Sequence, residues 1–445
     1  MTRKTPANVP RRSPMMLGLS GLQHVLVMYA ASVAVALIIG YALALPHDEL
    51  AYLINADLLC AGFGTLIQSA GVACFGIRMP VIMGASFVSV GPLVAMADGG
   101  QIGLPGMFGA TAVSGVFAML IVPLFSRLLV FFPPLVTGLV ITSIGLSLLP
   151  VSIRWVGGGA QAGNFAALGH LVLAGLVFVI ILLINRLGRG FWVNISVLIG
   201  LASGYVAAAA FGLVNWQGLA ERPWIEVITP FHFGMWTFPP AAVAALCIVM
   251  IVTLVESTGM FMALGDMVDA PVDRHRLNRG LLADGLTTAF SGLFNGFVHT
   301  SFAQNVGLVG MTGVRSRFVT VVSGGVLLAL SLCPKAAFVV AAVPKAVLGG
   351  ASLIMFGMIA AAGLNVMSQA DLSARSNQLV VAIALAFGLM PQTVPALFAG
   401  WPDWAAPIVH SGIMLTTIAA VSSNLLLNGR HHTPKQECRH DAAGH

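Results

Sequence analysis

The run Thr300-Ser301-Phe302-Ala303-Gln304-Asn305-Val306-Gly307-Leu308-Val309-Gly310-Met311-Thr312-Gly313 sets an adjacent Gln and Asn, followed by glycines, in a stretch otherwise apolar enough to lie in a membrane. It is too short and too polar to be an ordinary lipid-facing span. A buried amide without a hydrogen-bond partner costs roughly 2–7 kcal/mol depending on the reference state, so these side chains call for protein, water or a ligand. An earlier stretch, Pro80-Val81-Ile82-Met83-Gly84-Ala85-Ser86-Phe87-Val88-Ser89-Val90-Gly91-Pro92, carries Gly and Pro punctuation that a continuous helix tolerates poorly. It predicts extended backbone that becomes helical near Phe87. Non-helical backbone at membrane depth survives only against protein or a wet cavity, and the free N–H groups of a half-helix then serve as donors. On this reading Phe87 and Ala303 offer a ligand backbone atoms as well as side chains.

Around these two stretches the chain is built for lipid. Its 445 residues are 58% hydrophobic and 8% charged, with a mean hydropathy of +0.94, against about 25% charged residues in a soluble domain. Fourteen apolar stretches follow one another, at residues 17–45, 52–75, 81–97, 104–124, 133–151, 166–185, 192–213, 238–264, 281–295, 300–313, 317–334, 343–362, 377–390 and 405–427. Most reach the ~20 residues a helix needs to cross, while the third, ninth, tenth and thirteenth are short. The expectation is an all-α polytopic membrane protein with 14 transmembrane segments. The first stretch, behind Arg3, Lys4, Arg11 and Arg12, is longer than the apolar part of a signal peptide and reads as a retained span. Alternating from a cytoplasmic N-terminus leaves only Arg154, Arg222, Lys335 and Lys345 outside and puts the other 17 of 21 Lys and Arg inside. This is the positive-inside pattern, and it predicts an inner (plasma) membrane protein with both termini cytoplasmic.

The inside loops account for the net charge of +6, so it is no argument for a nucleic-acid partner. Five scattered cysteines give neither a disulfide framework nor a metal motif. His431, His432, His440 and His445 read as a solvated tail rather than a metal site. P-loop, dinucleotide, zinc-protease and nucleophile-elbow patterns are absent, which argues against an enzyme and against ATP-driven transport.

The second half echoes the first. Phe132-Pro133-Pro134-Leu135-Val136-Thr137-Gly138 opens the fifth stretch, and Val343-Pro344-Lys345-Ala346-Val347-Leu348-Gly349 opens the twelfth. Ala85-Ser86-Phe87 in the third is answered by Thr300-Ser301-Phe302 in the tenth. An offset of seven spans reverses direction, so the repeats are inverted, as in secondary transporters whose sites lie between broken helices at the midplane.

Glu256 is the only charge between Pro240 and Asp266. A carboxylate near the centre of a span costs about 2.5–3.5 kcal/mol on insertion scales, which makes function the default over structural pairing, and such a group suits proton coupling. Asp284 reads either as a site-organising acid or as a helix-start acid favoured by the macrodipole. His24, beside Gln23, faces the bundle interior, where a functional role and a core histidine bonded to a carbonyl weigh equally. Asp57 falls near the outer end of the second stretch, where solvation is easy, and ranks lower. A carboxylate, an amide, an aromatic ring and free backbone groups together suit a flat heterocycle with several N–H and C=O groups. Glu256 would accept N–H bonds, Gln304 would donate and accept in the ring plane, and Phe87 would stack.

These residues resemble the nucleobase-ascorbate transporter family, also called nucleobase:cation symporter-2. Its Gln/Glu-Asn-x-Gly-x4-Thr signature is matched by Gln304, Asn305, Gly307 and Thr312, and Gln23-His24 and Glu256 also fall where that family has them. The resemblance covers residues 15–428. It implies two inverted seven-helix repeats, with a core of residues 17–132 and 236–335 moving against a gate of residues 133–235 and 336–428, between tails at 1–16 and 429–445, within a homodimer. It implies that Glu256 and Gln304 hold the base, that Phe87, Ala303 and Ser86 line it, and that Asp284, His24 and Asn305 organise the site or its proton coupling. Gln at 304 is similar to the purine branch rather than the uracil branch. Met260, one turn after Glu256, stands where several xanthine carriers place an Asp, which favours urate over xanthine. No cofactor is implied beyond a coupling ion, a proton before sodium. A carrier of another nucleobase, an anion carrier of the same architecture and an uncoupled channel or sensor are the alternatives.

Overall fold

Proline opens several of the helices, since its missing N–H costs nothing in a first turn. The computed structural model describes residues 14–98, 102–159, 163–398, 400–402 and 405–429, without the side chains of 14, 98, 126, 128, 303, 311, 406 and 407. Both tails, with His431, His432, His440 and His445, thus fall outside the described residues, apart from a few at their inner ends. In chain order the elements are α1 (Pro14–Ala42), α2 (His47–Ala70), β1 (Met83–Ala85), α3 (Val90–Asp98), α4 (Leu104–Leu128), α5 (Pro134–Val156), α6 (Leu168–Leu187), α7 (Phe191–Asn194), α8 (Ser196–Ala210), α9 (Pro240–Met267) and α10 (Arg274–Leu293). They continue with β2 (His299–Ser301), α11 (Ala303–Thr312), α12 (Arg317–Ser331), α13 (Pro334–Ala341), α14 (Lys345–Met367), α15 (Arg375–Thr393), α16 (Ala406–Val409) and α17 (Gly412–Asn428).

This is a mostly helical membrane protein. Among the described residues, α1, α2, α4, α5, α6, α9 and α14 are each long and apolar enough to cross a bilayer, and α12 with α13 adds an eighth crossing if that pair, bent by 82°, is one span. The bend falls where Pro334, the last residue of the eleventh apolar stretch, starts a new helix, so that stretch does not end its span there. The core boundary expected at residue 335 therefore lies inside α13, which packs on α2.

Two positions differ from expectation because hydropathy misses polar helix starts. Helix α2 begins at His47, so Asp57 lies deep in the helix and is fully buried rather than solvated near an end. Helix α10 begins at Arg274, capped by Asp273, whose side chain accepts from the Arg276 N–H, so Asp284 is a mid-helix residue and not a helix-start acid.

The packing partners come in matched sets. Helix α2 lies on α12 and α4 on α10, α1 touches α12 as α9 touches α4, and α5 lies along α14. Glycines permit the tightest crossings. A Cβ on Gly62 would press on the Gly324 carbonyl, one on Gly115 would press on that of Gly285, and one on Gly138 would stand 2.5 Å from the Met367 nitrogen. The connection between α8 and α9 is strapped onto α2 by an Arg222–Asp48 ion pair and by Tyr52, which accepts from the Thr229 N–H at 2.9 Å.

Candidate substrate site

The two polar stretches meet. Strands β1 and β2 pair antiparallel with Met83 opposite Ser301, Gly84 opposite Thr300 and Ala85 opposite His299. The ladder extends through Ser86 N–H to the Val298 carbonyl at 2.7 Å and Phe302 N–H to the Ile82 carbonyl at 2.9 Å. Extended backbone inside a membrane must satisfy its own polar groups, and the two segments do so with each other. Each then turns into a helix. Ser86 caps a short 3-10 turn at Phe87–Ser89 by accepting from Val88 N–H, and α3 follows. Phe302 gives α11 no side-chain cap, so the first amides of that helix, from Ala303 and Gln304, are available donors.

On this frame Glu256 and Gln304 are the polar groups without protein partners around an open space. Gln304 is exposed and Glu256 half-buried, and neither bonds within the described chain. Below Gln304 on the same face of α11 lie Gly307 and Gly310, both exposed, and below Glu256 on α9 lies Gly259. A Cβ on Gly259 or Gly307 would meet nothing within 4 Å. The open space therefore runs from the strands toward the C-terminal ends of α9 and α11, just beyond which Asp269 and Arg315 pair with each other. Phe87, half-buried, meets Phe356 of α14 edge to face, with centroids 5.7 Å apart. Met260 and Ser86 are buried, one turn after Glu256 and beside Phe87 respectively. Ala303 is the first residue of α11.

The remaining expected residues hold the frame. Asn305 Nδ2 donates to the His24 carbonyl at 2.9 Å and to His24 Nδ1 at 3.1 Å, tying α11 to α1. As Nδ1 accepts here, the His24 hydrogen is on Nε2. His24 is thus a buried bracket, and Asn305 points away from the open space. Asp284 Oδ1 accepts from Gln68 Nε2 at 2.7 Å, and that amide also donates to the Gly280 carbonyl at 2.8 Å and accepts from Ile77 N–H at 3.1 Å. Asp284 lies close enough to Glu256 for the carboxyls to influence each other. Ser257 Oγ is 3.2 Å from Thr300 Oγ1, which fixes α9 against β2. Sequence reasoning missed Gln68, Ser257 and His299. A polar residue in an apolar span signals only that a partner exists, and these partners lie far away in the chain.

Two half-helices leading out of a paired-strand centre, with a carboxylate and an amide left unbonded beside it, define a membrane transporter for a small solute and not an enzyme. The model described as Permease family, that of the xanthine and uric acid permeases, matches residues 15–397, and the chain belongs to that family, the nucleobase-ascorbate transporters. It is 44% identical to the uric acid transporter UacT of Escherichia coli over 94% of this chain and 88% of that one. It is 38% identical to the xanthine permease of Bacillus subtilis over 95% and 96%, and 39% identical to the uric acid permease PucJ of that species over 92% of each. Among solved structures, the transmembrane domain of the cyanobacterial bicarbonate transporter BicA aligns with a TM-score of 0.59 at 16% identity over 91% of this chain and 97% of that one. Murine Slc26a9, an anion transporter in an inward-facing state, aligns with a TM-score of 0.62 at 14% identity, over 94% and 69%. These two are similar in fold alone.

Proposed function

We propose that the protein imports an oxidised purine, urate ahead of xanthine, together with a proton and by alternating access across the inner membrane, with both termini cytoplasmic. The observation that carries this reading is that Glu256 and Gln304 are unpartnered on two facing helices beside free helix-start amides. A purine dione or trione offers ring N–H groups to a carboxylate and alternating C=O and N–H groups to an amide in the same plane. Phe87 covers one face of such a ring, and Ser86 and Met260 shape its edges. Asp284, steadied by Gln68, is the acid through which Glu256 exchanges its proton. Relatives named as uric acid and xanthine permeases support the substrate class.

Fourteen spans in two inverted seven-helix repeats account for the matched packing. Gly349 meets Val156 as Gly138 meets Met367, and each residue of the second contact lies the same number of positions from its counterpart in the first. The shift that takes Ala85 to Thr300 exchanges two rungs of the strand ladder. Core and gate divide at the boundaries read from the sequence, except that α13 goes with the core, and the open face supports a site reached from the cytoplasmic side. The core meets the gate at few points, Phe87 on Phe356 among them. Helix α6, the least buried of the long helices, offers an apolar face for a second copy in a homodimer.

Uptake of labelled urate, xanthine and uracil, with and without a protonophore, tests the reading. Glu256→Gln and Gln304→Ala are each expected to cut purine uptake at least tenfold, about 1.4 kcal/mol or more. Full uptake by both variants would remove the site, and indifference to the protonophore would remove the coupling.

A further inference from the structure

Behind the strands, away from the open space, stands a buried acid–base pair. Asp57 of α2 and His299 of β2 are both fully buried, with Asp57 Oδ1 3.6 Å from His299 Nε2. Neither atom has a hydrogen-bond partner. Neighbouring atoms fix where the other hydrogens are. His299 Nδ1 is 2.9 Å from the Phe297 carbonyl, which can only accept. It is also 3.0 Å from Ser291 Oγ, whose own hydrogen goes to the Thr287 carbonyl at 2.8 Å. Nδ1 therefore carries a hydrogen, and in a neutral imidazole Nε2 is a bare lone pair aimed at a carboxyl oxygen. On the far side, Asp57 Oδ2 accepts from Ser32 Oγ at 2.7 Å, and Ser32 in turn accepts from Ala85 N–H at 3.2 Å. Oδ1 is the oxygen left to share a proton.

We propose that Asp57 and His299 form a proton-binding site, with one proton held between Oδ1 and Nε2, whose occupancy sets the grip of α2 on strand β2. With the proton present the pair is carboxylic acid with imidazole or carboxylate with imidazolium, and both attract. Without it, a carboxylate faces a lone pair in a dry interior, and the strand is pushed off α2. Strand β2 leads directly into Ala303 and Gln304. Its alternate face presents Thr300 to Ser257, next to Glu256. The proton thus acts on the substrate clamp through the strand, and Asp57 and His299 are positioning residues. Few other groups face the pair. Helix α2 adds Cys60, whose thiol lies beside Asp57 and Ser291. From α1 comes Ser32, from α10 Ser291 and Thr288, and from β1 the Ala85 amide, none of them charged. The effect on transport rests on the function proposed above, whereas the proton site itself does not.

Nitrogen NMR of the full chain labelled with 15N-histidine, purified without substrate, tests the site directly. His299, identified by the signals lost in His299→Gln or His299→Asn, is expected to show a protonated Nδ1. In Asp57→Asn the amide N–H takes the place of the shared proton, so the His299 spectrum is expected to be that of a neutral Nδ1–H imidazole. An unprotonated Nδ1 in the unmodified protein overturns the proposal. In uptake assays, Asp57→Asn is expected to shrink the ratio of uptake at about pH 6 to that at about pH 8 by threefold or more, since its loaded state no longer depends on pH. Equal loss at both pH values, the mark of a merely structural role, overturns the link to transport. Absence of any purine uptake by the unmodified protein would strike the transport reading and leave the histidine spectra to decide the proton site.

Discussion

Asn305 and Gln304 are neighbours in sequence and opposites in structure. The Asn305 amide is spent on His24, while the Gln304 side chain bonds to nothing in the described chain. Their variants should therefore fail differently. Asn305→Ala leaves the buried His24 Nδ1 without its donor, at about 1–3 kcal/mol, and is expected to lower the unfolding temperature of the detergent-solubilised protein by several degrees. Gln304→Ala is expected to leave that temperature unchanged and lose uptake. A thermal shift assay on the two proteins decides, and equal stability would remove the bracket role. Met260 makes a second residue-scale case. Urate is the stronger acid of the two purines and is anionic at neutral pH, so a carboxylate one turn from Glu256 penalises it more than xanthine. Met260→Asp is expected to raise the xanthine-to-urate uptake ratio about tenfold, roughly 1.4 kcal/mol. An unchanged ratio would show that position 260 does not read the substrate. The signature residues were legible because they are polar against an apolar background. The contrast between the unbonded Gln304 and the bonded Asn305 was not, since it depends on which way each side chain faces on α11.

At the level of elements, the glycines fall into two kinds that the sequence does not separate. Gly115 lies where α4 crosses α10, and a side chain there meets the backbone of Gly285 and Ala289, which cannot turn aside. Gly307 lies on α11 over open space. Gly115→Leu is expected to reduce the amount of folded protein in the membrane at least fivefold by forcing the helices apart. Gly307→Ala is expected to hold or slightly raise stability, by about 0.5–1 kcal/mol from the gain in helix propensity. Immunoblots of membrane fractions and melting curves compare the two, and a tolerated Gly115→Leu would contradict the close crossing. The half-helix starts near Phe87 and Ala303 could be read ahead of the structure because Pro and Gly restrict the backbone locally. The start of α10 could not, because Arg274, His275, Arg276, Asn278 and Arg279 form helix without any apolar signature. Nor could the turn between α12 and α13, where one proline looks like the end of a span.

Over the whole molecule, the sequence displayed its apolar segments but not which helices touch. Contacts such as Gln68 with Asp284 or Asp57 with His299 join residues more than two hundred positions apart, and nothing local encodes them. The proposed division into core and gate yields a direct test at a point where the two would meet. Ile195, on the proposed gate side, packs with Val27 and Leu308 on the proposed core side. Cysteines at 195 and 308, oxidised to a disulfide, are expected to stop uptake, and reductant is expected to restore it, while each single replacement still transports. Continued uptake with the bond formed would show that these surfaces do not separate. The pairing of β1 with β2 also bears on how the protein is made. As the chain leaves the ribosome, β1 enters the bilayer long before β2 has been synthesised, with its N–H and C=O groups unpaired where no water can serve them. The first half is therefore an unfinished object that must be sheltered by the insertion machinery or by lipid headgroups until the second half arrives. A chain stopped before His299 would be recognised as defective by its bare strand, well before its missing helices were noticed.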